Sequence, residues 1–287
     1  MNAGSSENNS ANQNPAAAPL AENKKWEFTD TGYRSGVFNM DLDMRLVERC
    51  REEDTAFLRF YRWKPYAISL GYNQNRLAAE INIDSKKCHA EGIDIVTRPT
   101  GGRAVLHSEE LTYSVIFRSH KQIRELHKDI SFAILSGLKT LDPKLALLSF
   151  TKDNPDLLKL IRTGMYNLCF NSAVKNEINY KDKKLVGSAQ RKFGDIVLQH
   201  GSILIGSHHK NIINYLNITG EGRIKMMKEI DEKTECINHI TGRKVDYADV
   251  ASAVFNGFRD TFGLDFKSIN RVAEFVEPRM KTPYTMN

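Results

Sequence analysis

Strand-forming runs crowd the middle of this chain, and helices do not alternate with them one for one. Residues 55–63 and 66–71 are rich in aromatic and β-branched side chains, with Lys64-Pro65 at the turn between them. Residues 93–107 read as strand, glycine turn and strand, and a further strand follows over Leu111–Phe117. A hairpin-like pair of runs turns near Lys181-Asp182-Lys183, and an apolar strand grows out of Gln199-His200-Gly201-Ser202. A doubly wound parallel sheet needs a helical crossover between successive strands, and this order does not supply one. The pattern points to an α+β fold with a mixed, largely antiparallel sheet flanked by helices.

The helices lie at both ends of the chain and in between. Over residues 39–49, Met40, Met44 and Val47 fall on one stripe, Leu42 and Leu46 add a flank, and acids are expected in the first turn, where they suit the dipole. Residues 75–92 read as a helix carrying Leu77, Ala78, Ile81 and Cys88, the last as a small buried hydrophobe. Residues 121–141 form an amphipathic helix through Ile123, Leu126, Ile130, Ile134 and Leu138, and residues 142–162 are mixed and partly helical. A short helix and loop is expected over 207–219, then a long helix over Asp246–Phe262 with Gly263 as its C-terminal stop.

Residues 1–24 are rich in Asn, Ser, Ala, Gly and Pro without apolar periodicity, the composition of a disordered tail. Residues 25–287 are expected to form a single domain, helical from about residue 206. The four cysteines, Cys50, Cys88, Cys169 and Cys236, are scattered and never paired as CxxC. That spacing argues against a disulfide framework or a zinc site, so no metal is expected, and it suits a reducing cytoplasm. No run approaches the roughly 18 apolar residues that span a bilayer, and the first residues lack a secretory signal pattern. The net charge of +6 favours acidic partners, but no basic cluster or DNA-binding motif marks a nucleic-acid footprint.

Chemistry concentrates in two places. Arg98-Pro99-Thr100-Gly101-Gly102-Arg103 pairs two glycines, which let a backbone approach a ligand closely, with two arginines able to hold a phosphate or a carbonyl. The bland alternative is a hairpin with two surface arginines. No GK[ST] follows, so this is not a Walker loop. The second place is the stretch from Thr163 to Ile205. It holds Cys169 among small and polar neighbours, then Lys184, then Gly187-Ser188-Ala189-Gln190 and Gln199-His200-Gly201-Ser202. A thiol with an ordinary pKa of about 8.5 is only a few per cent thiolate at neutral pH. Lowering it by ~1.5 units takes about 2 kcal/mol. A lysine about 4 Å away supplies up to ~4 kcal/mol at an effective dielectric of 20. A nucleophile, a cation and a glycine-lined wall suit acyl chemistry, although from its own residues Cys169 reads first as a buried structural thiol.

The segments RPTGGRAVLHSEELTYSV (98–115) and, from Cys169 to Leu204, EINYKDKKLVGSAQR and VLQHGSIL resemble the lipoate/biotin protein ligase superfamily, and within it the LipM-type octanoyltransferases. WEFTDTGYRSGVFNMDLDMRLVE and ITGRKVDYADVASAVFNGFRDTFG extend the resemblance over most of the chain after the tail. It implies transfer of octanoate from octanoyl-acyl carrier protein to a lysine of a lipoyl domain, such as the glycine-cleavage H protein, without ATP. Cys169 would be the nucleophile of an octanoyl-thioester intermediate, and Lys184 would lower its pKa and orient the acyl carbonyl. Arg98, Gly101, Gly102, Arg103 and His107 would line the acyl pocket with Gly187, Ser188, Ala189, His200 and Gly201. A monomer is expected. The turn before Lys184 carries Asp182 where the family usually has glycine, and aspartate tolerates positive φ well enough for the turn to survive.

Three alternatives remain open at this point. An ATP-dependent lipoate-protein ligase would use Lys184 to activate an acyl-adenylate, an amidotransferase would share the cysteine chemistry, and a non-catalytic acyl-binding protein would keep the fold alone. Whether His107 or His200 moves protons is not legible, and each is expected to be a hydrogen-bonded structural histidine before a proton carrier.

Overall fold

The computed structural model describes residues 20, 25–76, 83–151 and 177–268. In chain order, β1 is Lys25–Arg34, α1 Gly36–Glu53, β2 Thr55–Trp63, β3 Ala67–Leu70, α2 Tyr72–Arg76, α3 Ser85–Ala90, β4 Asp94–Thr97, β5 Val105–His107 and β6 Glu110–Arg118. Then come α4 Ile123–Leu141, a 3₁₀ turn Pro143–Leu147, β7 Ser149–Phe150, β8 Ile178–Tyr180, β9 Lys183–Lys184, β10 Val186–Phe193 and β11 Ile196–Leu204. A second 3₁₀ turn, His208–Tyr215, leads to α5 Gly220–Lys233, α6 Ile237–Thr241, α7 Tyr247–Phe262 and β12 Phe266–Ser268.

The main sheet has six strands in the order β10-β11-β6-β2-β1-β12. Its first three pairings are antiparallel, and β2–β1 and β1–β12 are parallel. The α+β class, with a mixed sheet flanked by helices, therefore holds. One face carries α4 and α7. Leu126, Ile130, Ile134 and Leu138 of α4, and Val250, Val254 and Phe258 of α7, pack on Leu58, Phe60, Tyr113, Val115 and Phe117 in the largest apolar cluster. The two helices approach closely where Gly137 and Gly257 meet: a Cβ on Gly257 would lie 2.3 Å from the Ala133 carbonyl oxygen. Gly263, at φ 63°, ends α7 as its cap.

The opposite face is shared by α1 and a smaller sheet. Leu42, Leu46, Val47 and Cys50 of α1 cover Phe57, Ile116, Ile196 and Leu198. The smaller sheet has the order β4-β3-β5, with β3 in the middle, parallel to β4 and antiparallel to β5. Residues 93–107 are thus not a hairpin, because β3 inserts between the two runs and satisfies one edge of each. Lys64-Pro65 likewise does not join two paired strands, since β2 and β3 belong to different sheets.

Helix boundaries differ from expectation in two places. Ser35 caps α1, its side chain accepting from the Phe38 amide at 3.3 Å, so the helix begins at Gly36 and no acid falls in its first turn. Asp41 and Asp43 lie one turn deeper, and Asp43 is fully buried. The expected helix over 75–92 is instead α2 and α3, with α3 capped by Asp84 and ended by Gly92 at φ 67°; residues 77–82 lie outside the described residues. Cys88 is buried in an apolar cluster, which pushes its thiol up to about 11. Among the described residues, no helix is long and apolar enough to cross a membrane.

Candidate active site

Strand register builds the site. On the face beneath α1 and the smaller sheet, Arg59, Ser114 and His200 lie side by side across β2, β6 and β11, and Tyr61, Thr112 and Ser202 form the next rank. Two buried carboxylates serve these ranks. Asp43, reaching down from α1, accepts from Arg59 Nη1 at 2.7 Å, Ser114 Oγ at 2.9 Å and Tyr61 Oη at 3.2 Å, and pairs with His200 Nδ1 at 3.1 Å. Glu110, at the start of β6, accepts from Thr112 Oγ1 at 2.6 Å and Ser202 Oγ at 2.8 Å, with His107 Nδ1 at 2.7 Å. Burial opposes ionisation of both carboxyls. Arg59 and His200 offset it for Asp43, and His107 with the two hydroxyls for Glu110, so both sit below the ordinary carboxylate range.

The pocket opens above these ranks. Met40 of α1, Tyr61 and Trp63 of β2, and Thr112 form one side; Ser69, Arg98, Val105 and His107 form a second; Gly187, Ser188 and Ala189 of β10, with His200, Gly201 and Ser202 of β11, form the third. The space between these walls is about 420 Å³ with its open mouth included. Seven of the ten residues expected to line an acyl pocket therefore meet in one place.

The other three hold the loop behind it. Arg98 ties that loop to β3, reaching the Gly101 carbonyl at 2.9 Å and the Arg103 carbonyl at 2.7 Å on one side and the Ser69 carbonyl at 3.0 Å on the other. Gly102, at φ 95°, turns its carbonyl onto Gly71 so closely that a Cβ there would lie 1.9 Å away. Arg103 is buried. Thr100 Oγ1 meets His200 Nε2 at 2.6 Å and so ties the loop to the sheet. Burial pulls the His200 pKa down despite Asp43; Nδ1 faces the Asp43 carboxylate and Nε2 faces the Thr100 hydroxyl.

Gly201 opens the third wall. It stands between Tyr113 and Ser188 in register, and over its missing side chain the Tyr113 hydroxyl meets Ser188 Oγ at 2.7 Å. Lys184 lies just before that wall, 4% exposed, with Nζ 2.8 Å from Glu177 Oε1. Its charge and, more strongly, burial pull the neighbouring His127 down to about 4. The turn ahead of Lys184 has Lys181 at φ 47° and Asp182 at φ 65°, the positive values a tight two-residue hairpin requires. Cys169 lies outside the described residues.

Asp43, Arg59, Glu110, Ser69 and Glu177 were not singled out from the sequence. Asp43 had a signal: at spacings of three and four from Met40 and Val47 it shares their stripe, and an acid on an apolar stripe marks a buried polar site. Glu110, Thr112 and Ser114 alternate along β6, a polar face on a strand whose other face is apolar.

The lipoyl protein ligase A/B catalytic domain family matches residues 35–259. Proteins named octanoyltransferase LipM from Geobacillus kaustophilus and Staphylococcus epidermidis are similar at 33% and 34% identity. They cover 90% and 88% of this chain and 95% and 92% of their own lengths. Among solved structures, one from the bipartite lipoate protein ligase and E2 lipoyl domain of Thermoplasma acidophilum superposes with a TM-score of 0.66 at 21% identity. The match covers 87% of this chain and 88% of that one, and shows a shared fold. On these grounds the chain belongs to the lipoyl protein ligase A/B catalytic domain family, as an acyltransferase of the LipM octanoyltransferase type.

Proposed function

We propose that the protein moves an octanoyl group from octanoyl-acyl carrier protein to a lysine of a lipoyl domain, such as the glycine-cleavage H protein, through a thioester on Cys169. One observation carries the reading: a pocket walled by Gly187, Ser188 and Ala189, with buried Lys184 just before it, in a chain 33% identical to an octanoyltransferase over 272 residues.

The carrier-bound donor is already a thioester, so attack by the Cys169 thiolate exchanges one thioester for another and conserves reactivity. The lysine amine of the acceptor then attacks the acyl-enzyme, forming an amide and releasing the thiolate. That second step is downhill, and neither step needs ATP. Lys184 supplies the positive charge that favours the thiolate and orients the acyl carbonyl. Glu177 holds that lysine in place at 2.8 Å and limits its field. The apolar pocket takes the acyl tail, and the net charge of +6 suits acidic protein partners.

The test is octanoyl transfer to a purified lipoyl-domain acceptor, with and without ATP, by the wild type and Cys169→Ala. ATP-independent transfer from octanoyl carrier protein that vanishes in the variant supports the thioester route. Transfer that needs free acid and ATP and survives the substitution replaces it with the ligase reading.

A further inference from the structure

Ser69, His107 and Glu110 form a continuous relay in the pocket wall. Ser69 Oγ lies 2.7 Å from His107 Nε2, and His107 Nδ1 lies 2.7 Å from Glu110 Oε1. Ser69 and His107 both line the cavity.

The hydrogen bonds around Ser69 are compatible with a relay running from its hydroxyl to Glu110. Arg98 Nη1, which can only donate, reaches Ser69 Oγ at 3.1 Å. That oxygen accepts there, and its own proton is free to turn to His107 Nε2 when the imidazole carries its proton on Nδ1, facing the Glu110 carboxylate. Thr112 and Ser202 donate to the same carboxylate oxygen, and Trp63 Nε1 holds the Thr112 hydroxyl at 2.7 Å. The Trp63 ring also stacks on the imidazole, with centroids 4.0 Å apart and planes 12° apart. Every member of the relay is thereby locked in position.

A structural network needs only that buried polar groups be satisfied. This one also places a hydroxyl, an accepting imidazole nitrogen and an orienting carboxylate in series, which is the arrangement that activates a serine nucleophile. The Arg98 guanidinium beside the hydroxyl adds a charge able to steady a developing oxyanion.

We propose that Ser69 is a second acyl acceptor in this pocket, and that the Ser69–His107–Glu110 relay hydrolyses medium-chain acyl thioesters and esters. Ser69 Oγ attacks the carbonyl carbon while its proton passes to His107 Nε2. The carbon–sulfur bond breaks, and the departing thiolate takes that proton. Water then attacks the Ser69 ester and gives one proton to His107. The carbon–oxygen bond to Ser69 breaks, Oγ recovers the proton from His107, and the fatty acid leaves. Glu110 stays ionised throughout as the positioning group. The medium chain length rests on the octanoyl reading above, whereas the reactivity of Ser69 does not depend on Cys169.

The full chain carrying Cys169→Ala is treated with a fluorophosphonate and, separately, with 4-nitrophenyl octanoate. The expected result is one phosphonyl adduct, located on Ser69 by peptide mass spectrometry. Ester turnover is expected to fall at least tenfold on adding Ser69→Ala or His107→Asn. The adduct is read on the intact relay, so misfolding of a variant does not mimic it. An unlabelled Ser69, labelling without ester turnover, or turnover unchanged by Ser69→Ala overturns the proposal. Transfer to a lipoyl domain that survives Cys169→Ala would sink the thioester route instead and leave the Ser69 result standing.

Discussion

Asp43 and Arg59 form an ion pair at 2.7 Å with both side chains fully buried, one reaching from α1 and the other from β2. The Arg59 guanidinium is further satisfied by the Asn39 side-chain oxygen at 2.7 Å and by Thr31. Asp43 thus anchors α1 to the sheet and also holds His200 in the pocket wall. Asp43→Asn leaves a buried guanidinium without its counter-ion, and breaking such pairs costs about 3–5 kcal/mol. Urea unfolding is expected to show that loss, and Asp43→Leu combined with Arg59→Met is expected to recover part of it.

Acid sensitivity follows from the buried histidines. Burial drives His209 down to about 4, from an ordinary value of 6.5. Between those values the unfolded chain binds a proton that the folded one refuses, so lowering the pH favours unfolding. Stability is complete above about 6.5 and is lost progressively toward 4, by on the order of 3 kcal/mol for this residue. His127 acts in the same window. Asp43 and Glu110, depressed below the ordinary range, give stability present above their unfolded values and lost only as pH falls through their folded ones. Unfolding midpoints measured from pH 7.5 to 4.5 are expected to decline steadily, and His209→Asn is expected to flatten the curve.

Legibility in the sequence tracked locality. Thr55–Trp63, α4 and α7 were readable because period and caps are local signals, and Gly263 ended α7 where a glycine stop was expected. The pocket glycines were readable because a motif carries them. The insertion of β3 between β4 and β5 was not, since nothing within residues 93–107 records a partner lying more than 20 residues earlier. Asp43 was misread for a related reason. Ser35 moves the helix start three residues ahead of Asn39, and that shift turns a supposed first-turn acid into the centre of a cross-strand network.

Asp182 adopts φ 65° at the turn before Lys184. A non-glycine residue gives up roughly 1 kcal/mol in the left-handed region, with Asp and Asn penalised least. Asp182→Gly is expected to change stability by less than about 1 kcal/mol, because relief of φ is offset by chain entropy. Asp182→Val, β-branched at positive φ, is expected to cost more than that and to lower activity by displacing Lys184. Thermal melts and transfer assays on the two variants distinguish these outcomes.

Lys184 and Glu177 are both nearly inaccessible and 2.8 Å apart. Glu177→Gln removes the counter-ion of a buried ammonium and is expected to destabilise by about 3 kcal/mol. The double variant Glu177→Gln, Lys184→Met is expected to lose less stability than the sum of the two single changes, with a coupling of about 1–3 kcal/mol by chemical denaturation. Additive losses would show that the pair is not energetically coupled.

Gly201 is required by space, not by φ. A Cβ there would lie 2.4 Å from the Gly187 carbonyl oxygen, 2.9 Å from the Tyr113 ring and 3.0 Å from Ser188 Oγ. Two of those neighbours belong to the pocket wall, and the third is the tyrosine whose hydroxyl holds Ser188. Tyr113 is wholly buried and backed by Gln199, so it has little room to yield. Gly201→Ala must therefore push β10 away from β11, at a cost of about 1–3 kcal/mol for overpacking. Because the displaced atoms line the pocket, octanoyl transfer is expected to fall by more than the stability loss explains, with KM for the acyl donor rising. Gly194, at φ 69° in the distal turn and with nothing near its missing side chain, is the comparison: Gly194→Asn is expected to leave KM unchanged. Equal KM values for the two variants would show that the close approach at Gly201 serves the sheet alone.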